Sequence, residues 1–154
     1  MMQRRNFIKS GLATAPWIAM AATGLQLRTA MAGWPSAAFH LEDLSEAERL
    51  LFADTPVEDS DRIAVTAPDI AENGRVVPVQ VVIDLPDPKT LTLLSDGNPF
   101  PLLARARFTP DVEPTLSIRV KLGQSANLIA LVEADGRLYR ATRAVKVTSG
   151  GCGG

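Results

Sequence analysis

Between Arg62 and Val147 the chain alternates between short apolar-polar runs and turn-forming residues. The clearest run is Leu116–Leu122, in which leucine, isoleucine and valine at every second position alternate with serine, arginine and lysine. An alternation with a period of two places the apolar residues on one face of a β-strand. Such a strand buries one face and leaves the other in water, so this part of the chain is predicted to form β-sheets around a shared core.

Turn-forming residues divide the region at intervals of roughly 8–12 residues, which predicts a β-sandwich of about seven strands. Asn73-Gly74 and Asp135-Gly136 predict hairpin turns, because these dipeptides tolerate the positive φ of tight turns. Pro78 favours an edge position or a bulge for its strand, because proline donates no hydrogen bond to a neighbour. The predicted strands are Ile63–Val65, Val76–Ile83, Thr90–Leu94, Ala104–Phe108, Leu116–Leu122, Leu128–Glu133 and Arg137–Val147. In Ala104–Phe108, apolar residues alternate with Arg105 and Arg107, so the face with the two arginines is predicted to be wet.

A single helix is predicted before the strands, over Asp43–Ala53. Apolar residues recur there at three- and four-residue spacing, and Ser45 with the acidic residues after it provides an N-terminal cap. We expect this helix to pack on its own domain. The preceding segment Gly33–Phe39 is predicted to be a loose leader, and Glu58–Asp61 a short solvated loop.

The N-terminal segment has the three parts of a secretory signal peptide. Arg4–Lys9 is basic and begins with paired arginines, Gly11–Leu27 is an uncharged run of 17 residues, and Ala30–Ala32 provides a cleavage site before Gly33. The paired arginines favour a twin-arginine signal, which exports folded proteins to the periplasm. A membrane anchor is the alternative, but a spanning helix needs about 20 strongly apolar residues. We therefore expect residues 1–32 to be removed and the cleaved protein to be free of the membrane.

The charge of the predicted mature chain argues against a nucleic-acid surface. Residues 1–32 contain four of the 16 basic residues and none of the 17 acidic ones, so the remainder has 12 basic and 17 acidic residues and a net charge of −5. Nucleic-acid-binding domains are usually basic.

Residue types that usually support catalysis are scarce. His40 is the only histidine, so the chain cannot build a multi-histidine metal site alone. No phosphate-binding loop, Cys-x-x-Cys pair or dinucleotide fingerprint is present. The sequence predicts no enzyme, no metal site and no cofactor.

The C-terminal end has a different character. The only cysteine, Cys152, is preceded by Gly150 and Gly151 and followed by Gly153 and Gly154. Glycines have no Cβ, so four of them predict a thin, flexible arm rather than a packed segment. A thiolate is a nucleophile that forms mixed disulfides, persulfides and thiosulfonates reversibly. Without a second cysteine, an exported thiol cannot form an internal disulfide, which favours a redox or carrier role.

The end of the chain resembles the SoxY family, the sulfur-carrier subunits of the periplasmic thiosulfate-oxidising Sox system. The resemblance lies in Val145–Thr148 followed by Ser149 and the terminal GGCGG, and in Thr66–Gly74 followed by Val77–Val79. It covers essentially the whole predicted mature chain, and the terminal motif is its most specific part. The predicted domain, residues 33–148, is then an immunoglobulin-like sandwich, a topology that rests partly on the resemblance. Residues 149–154 form the swinging arm.

The resemblance implies a substrate carrier on which other proteins act. Cys152 would be joined oxidatively to thiosulfate by the haem cytochrome SoxAX, and the hydrolase SoxB would release the outer sulfonate as sulfate. The dehydrogenase SoxCD would oxidise the remaining sulfur. The family also implies a heterodimer with SoxZ. The groups expected on Cys152 are covalent S-thiosulfonate and persulfide adducts.

Two other classes remain open at the level of sequence. Gly153-Gly154 would allow the carboxylate chemistry of ubiquitin-like carriers, but those need ATP and a β-grasp body with a long central helix, which this pattern does not predict. The chain could also be a structural subunit whose Cys152 only forms an intermolecular disulfide, including a disulfide dimer.

Overall fold

The protein is described by a computed structural model over residues 35–148. The predicted signal peptide and the predicted arm lie outside these residues. Within them, the chain forms a 3-10 turn (Ser36–His40), α1 (Leu44–Phe52), β1 (Val57–Asp59), β2 (Ile63–Thr66), β3 (Ile70–Ala71), β4 (Val77–Ile83), β5 (Pro88–Ser95), β6 (Leu102–Arg107), β7 (Thr115–Val120), β8 (Ala126–Ala134) and β9 (Arg137–Val147). None of the helices in this range is long and apolar enough to cross a membrane.

The strands form two sheets that pack face to face. The larger sheet has six strands in the order β1-β9-β8-β5-β6, and β3 also pairs with β9. The smaller sheet has the order β2-β4-β7. The predicted all-β, immunoglobulin-like sandwich is therefore confirmed.

The core lies between the sheets and follows the alternation of the sequence. On β4, the buried residues Val77, Val79, Val81 and Ile83 alternate with exposed ones. Full burial of a Val or Leu side chain contributes roughly 1.5–3 kcal/mol relative to exposure. Residues of the larger sheet in the same core cluster include Leu91, Leu93, Leu128, Ala130, Val132 and Val145.

Strands β8 and β9 are joined by the predicted hairpin turn. Asp135 has φ 49° and Gly136 has φ 71°. Positive φ at both central residues is typical of the type I′ turn that Asp-Gly favours. This hairpin prediction is confirmed.

Two strands, β1 and β3, are absent from the sequence prediction. They contain three and two residues, which is too short for an alternation to be visible, and both run parallel to β9. Strand β1 also overlaps the segment Glu58–Asp61. The predicted exposure holds for Glu58, Asp59 and Asp61, but the prediction of a loop was wrong for Glu58 and Asp59, which lie in the strand. Asp59 accepts a hydrogen bond from Arg140 at 2.7 Å, and Glu58 accepts one from Arg137 at 3.3 Å.

The helix packs on the outer face of the larger sheet, as predicted, but its details differ. Its N-cap is Asp43, whose carboxylate accepts from the Glu46 backbone N–H at 2.8 Å, so the cap at Ser45 was wrong. The N-cap residue must precede the first helical residue to reach the free N–H groups. Ala38 is fully buried beside the helix, so the predicted loose leader is a packed 3-10 turn where it is described.

The helix also covers a face that the sequence predicted to be wet. Arg107 is exposed, but the Arg105 side chain is only 12% exposed. Its guanidinium lies 5.6 Å from the centre of the Phe52 ring and donates to Glu133 at 3.3 Å. Glu133 also accepts from the Thr90 hydroxyl. The prediction failed at Arg105 because an alternating pattern within one strand carries no information about a helix that packs on it.

The position of Pro78 corrects another expectation, because β4 is the central strand of its sheet rather than an edge. The Asp84 N–H donates to the Arg62 carbonyl at 2.8 Å, so even-numbered positions of β4 face β2. The pairing of β2 with β4 ends at Thr66 and Gln80. Pro78 faces the space beyond that last pair, so its missing N–H removes no hydrogen bond from the ladder.

Phe52→Ala tests the packing of the helix on the sheet. Phe52 is 7% exposed and Leu50, on the same helix, is 55% exposed. We expect Phe52→Ala to lower the free energy of unfolding by about 3 kcal/mol, because it leaves a cavity and removes the ring beneath Arg105. Leu50→Ala is the matched control and is expected to change it by less than about 0.5 kcal/mol. Equal effects in urea unfolding would contradict this packing.

Candidate functional site at the root of the C-terminal arm

The last described residue, Thr148, follows β9 and is the point from which the predicted arm leaves the sandwich. We call it the arm root. Strand β8 pairs with one edge of β9, and β3 pairs with the end of the other edge. The Lys146 N–H donates to the Asp69 carbonyl at 2.9 Å, and the Thr148 N–H donates to the Ala71 carbonyl at 3.1 Å. The backbone is therefore hydrogen-bonded as far as the arm root itself.

Gly74 packs close to the arm root. A Cβ at this position would lie 2.4 Å from the Leu122 carbonyl oxygen and 2.9 Å from Val147 Cγ1. The Gly74 carbonyl accepts from the Leu122 N–H at 2.7 Å, and the Ser125 hydroxyl accepts from the Val147 N–H at 3.0 Å. This close approach joins the two sheets beside the arm root, and only a residue without a side chain fits there.

The turn at Asn73-Gly74 does not close a hairpin, so that prediction was wrong. It connects β3 in the larger sheet with β4 in the smaller sheet. Among the described glycines, only Gly136 has a positive φ, so Gly74 is required for close approach rather than for turn conformation. The Arg75 N–H donates to Asn73 Oδ1 at 3.0 Å, which fixes the start of the turn.

The predicted arm residues lie outside the described part of the chain; these are Gly150, Gly151, Cys152, Gly153 and Gly154. The position of the arm root nevertheless limits where the thiol can be. Cys152 is four residues after Thr148. An extended chain spans at most about 3.6 Å per residue, so the Cα atom of Cys152 lies within about 14 Å of the Cα atom of Thr148.

Cations that form no ion pair within the described residues concentrate at this end of the molecule. Six Lys and Arg side chains in residues 35–148 take part in ion pairs. Four of the others are exposed at this end. Arg75 directly follows Gly74, Lys121 directly precedes Leu122, and Lys146 lies two residues before the arm root. Arg119 lies two residues before Lys121, on β7. The remaining two are Arg49 on the helix and Arg107 at the far end of β6.

The same end of the sandwich contains two carboxylates without an ion pair among the described residues, Glu72 and Asp96, and two exposed apolar side chains. Asp96 accepts two hydrogen bonds from Asn127, both at 2.7 Å. Glu72 is exposed, whereas Asp69 is bound by Arg143 at 2.6 Å. Ile70 is 56% exposed and Val76 is 51% exposed. This group is not visible in the sequence, because its cations lie on separate strands and turns that meet only through the Gly74–Leu122 hydrogen bond and the pairing of β3 with β9.

The described residues contain no cluster of three His, Cys, Asp or Glu side chains that could hold a metal ion, and His40 is exposed. The pKa shifts lie at the opposite end of β9. Hydrogen bonding from Arg140 lowers the pKa of Asp59, and burial raises the pKa of Glu48. The Asp59–Arg140 ion pair joins β1 to β9, and both Asp59 and Glu48 are separate from the arm root.

Comparisons with known proteins agree with this fold. The profile of the family described as "Sulfur oxidation protein SoxY" matches residues 47–152. The chain is similar to the solved structure of the sulfur carrier protein SoxY from Chlorobium limicola f thiosulfatophilum, with 37% identity and a TM-score of 0.63. That match covers 68% of this chain and 96% of the other chain.

Two further structures share the fold at low identity. A superoxide reductase (neelaredoxin) from Ignicoccus hospitalis has 22% identity and a TM-score of 0.53, covering 60% of this chain and 95% of that chain. A point variant of that reductase has 20% identity and a TM-score of 0.52, covering 70% of this chain and 100% of that chain. These likenesses concern the fold alone. A search of curated proteins found no match.

Gly74→Ala tests the close approach beside the arm root. The new methyl group would overlap the Leu122 carbonyl, so we expect the free energy of unfolding to fall by about 1–3 kcal/mol. Gly123→Ala is the matched control, because a Cβ there would meet only Asn98 Oδ1 at 3.9 Å. If urea unfolding shows the same stability for both variants, the close approach does not constrain this turn.

Proposed function

Because the chain belongs to the SoxY family of sulfur oxidation proteins, we propose that it carries sulfur intermediates covalently on Cys152 and presents them to partner enzymes in the periplasm. The family supports a sulfur-carrier role within the Sox system. The observation that carries the finer proposal is the geometry of the arm root. A rigid sandwich holds Thr148 by hydrogen bonds and is followed, four residues later, by the only thiol of the chain.

In the proposed cycle, the Cys152 thiolate and thiosulfate form an S–S bond, and two electrons pass to the haem cytochrome SoxAX. In the active site of SoxB, water then cleaves the bond between the sulfonate sulfur and the adjacent sulfur of the adduct. This releases sulfate and leaves a persulfide on Cys152. SoxCD then oxidises the outer persulfide sulfur to a sulfonate, with three oxygen atoms from water and six electrons passed to an electron acceptor, and a second hydrolysis releases sulfate and regenerates the thiol. Alternatively, a thiolate acceptor attacks the outer sulfur and takes it as a persulfide, which leaves the Cys152 thiol. The tether keeps each intermediate attached and raises its local concentration at the next enzyme.

Export by the twin-arginine pathway belongs to the same proposal. It follows from the signal pattern in residues 1–32. The chain itself is proposed to catalyse no step. In this proposal, the partner enzymes supply the haem and the metal.

We propose that SoxZ binds β7, which is one of the two edge strands of the smaller sheet. Strand β7 is an edge strand, and the Ile83 N–H donates to the Pro114 carbonyl at 3.1 Å. Even-numbered positions therefore face β4, and the backbones of Ser117 and Arg119 face away from it. Unpaired N–H and C=O groups on an edge strand are a template for pairing with another chain. Beyond Arg119 the edge is closed by Asn98, which donates to the Lys121 carbonyl at 2.8 Å.

Cys152→Ser tests the carrier directly. Reconstituted with its partner enzymes, this variant is expected to abolish thiosulfate-dependent reduction of cytochrome c, because no thiol remains to accept the substrate. A matched variant, Cys152→Ser with Ser149→Cys, keeps one thiol but shortens the reach from the arm root to about 4 Å. We expect it to form intermolecular disulfides and still fail in turnover. Full turnover by the shortened variant would contradict a carrier whose reach matters, and turnover by Cys152→Ser alone would end the proposal.

Ser117→Pro tests the SoxZ interface. The substitution removes an outward-facing N–H, so we expect the monomer to fold and the Kd for SoxZ to rise at least about tenfold. Ser117→Thr keeps the N–H and is expected to bind as the native protein does. An unchanged Kd for Ser117→Pro in titration calorimetry would exclude β7 as the pairing edge.

A further inference from the structure

We propose that Arg75, Lys121 and Lys146 form a docking surface for the acidic rim of an enzyme that acts on Cys152. We call these residues the root cations. The inference rests on the proposed function, since it assumes that Cys152 is the group presented to the enzyme. It adds the partner's chemistry and the part of the body that the partner must touch.

The distance that Cys152 can move away from the sandwich is limited. The Cα atom of Cys152 lies within about 14 Å of that of Thr148 in any conformation. An enzyme that encloses the thiol in a buried site uses most of this length for the depth of its own entrance. Its surface around the entrance must then contact the sandwich around Thr148. The surroundings of the arm root are therefore part of every productive complex.

The root cations lie around Thr148. Arg75 and Lys121 are chain neighbours of Gly74 and Leu122, whose backbones are hydrogen-bonded at 2.7 Å. Lys146 lies two residues before Thr148, and its Cα partner on β3 is Ile70. The cations come from the connection before β4, the end of β7 and the end of β9.

Lys121 alternates with the buried Val120 and Leu122 of the smaller sheet, and Lys146 follows the buried Val145 of the larger sheet, so these two cations lie on the two outer sides of the sandwich. An enzyme entrance that surrounds the arm root therefore meets a cation on each side.

The root cations have no ion-pair partner within the described residues. All three are exposed, whereas six other cations of residues 35–148 are paired. Glu72 and Asp96 are the carboxylates without an ion pair at this end of the described residues, whereas Asp69 is bound by Arg143. Asp96 is hydrogen-bonded to Asn127, and the three root cations outnumber these two carboxylates. The surface therefore has a local positive charge on a body whose predicted mature net charge is −5. Such a local field selects an acidic surface and accelerates encounter with it.

The apolar side chains beside the cations fit the same use. Ile70 and Val76 are more than half exposed, at 56% and 51%. Protein interfaces combine an apolar centre with a charged, solvated rim. Contact of these two side chains with the enzyme supplies a part of the binding that salt does not screen, and the root cations supply the salt-dependent part.

The experiment compares two charge reversals of equal size. Arg75→Glu with Lys121→Glu removes two root cations, and Arg49→Glu with Arg107→Glu removes two exposed cations away from the arm root. The readout is kcat/KM for loading of Cys152 with thiosulfate by the partner oxidase, with the carrier as the varied substrate. We expect at least a tenfold loss for the first pair at low ionic strength, shrinking as salt is added, and less than a twofold loss for the second.

Two further measurements separate the possible causes. Alkylation of Cys152 by iodoacetamide is expected to proceed at the same rate in both variants and the native protein, because the cations act on the enzyme rather than on the thiol. Poly-L-glutamate is expected to slow loading of the native protein and to have little effect on Arg75→Glu with Lys121→Glu. A matched slowing of alkylation and loading would overturn the docking surface, as would equal losses in the two charge reversals. Failure of the native protein to load on Cys152 would instead overturn the proposed function.

Discussion

The arrangement of the C-terminal end depends on the pairing of β9 along both of its edges. Strand β8 occupies one edge, and β1 and β3 occupy the two ends of the other. Parallel partners of three and two residues are too short to be stable alone. They are held because the longest strand of the larger sheet is already fixed by its hairpin with β8. The result is a chain end that remains hydrogen-bonded up to Thr148.

In the proposed carrier, the hydrogen-bonded end of β9 and the four residues from Thr148 to Cys152 together limit where the thiol can be presented. The body determines where the thiol starts, and four residues determine how far it goes. A longer tether would let the enzyme bind anywhere on the sandwich, whereas this one requires contact at the arm root. In the proposed docking, the root cations and the exposed Ile70 and Val76 act through contact with the enzyme surface around the arm root and take no part in the sulfur chemistry.

The sequence predicted the sandwich because alternation and turn dipeptides are local signals, as in β7 and at Asp135-Gly136. It failed where a residue's environment is set by distant segments. Arg105 is covered by a helix that lies far before it in the chain, and Pro78 is tolerated in a central strand because β2 ends early. Gly74 is needed for contact with Leu122 rather than for a hairpin. The carrier chemistry of Cys152 stays a prediction from its glycine-rich setting and the family resemblance, whereas the grouping of the cations around the arm root depends on contacts between distant segments, such as the Gly74–Leu122 hydrogen bond.

Mass spectrometry of the protein isolated from cells growing on thiosulfate tests the central claim most directly. The account predicts reductant-labile sulfur adducts, thiosulfonate or persulfide, that map to the C-terminal peptide containing Cys152. A peptide found only as free thiol or as a symmetric disulfide, or adducts on any other residue, would contradict it.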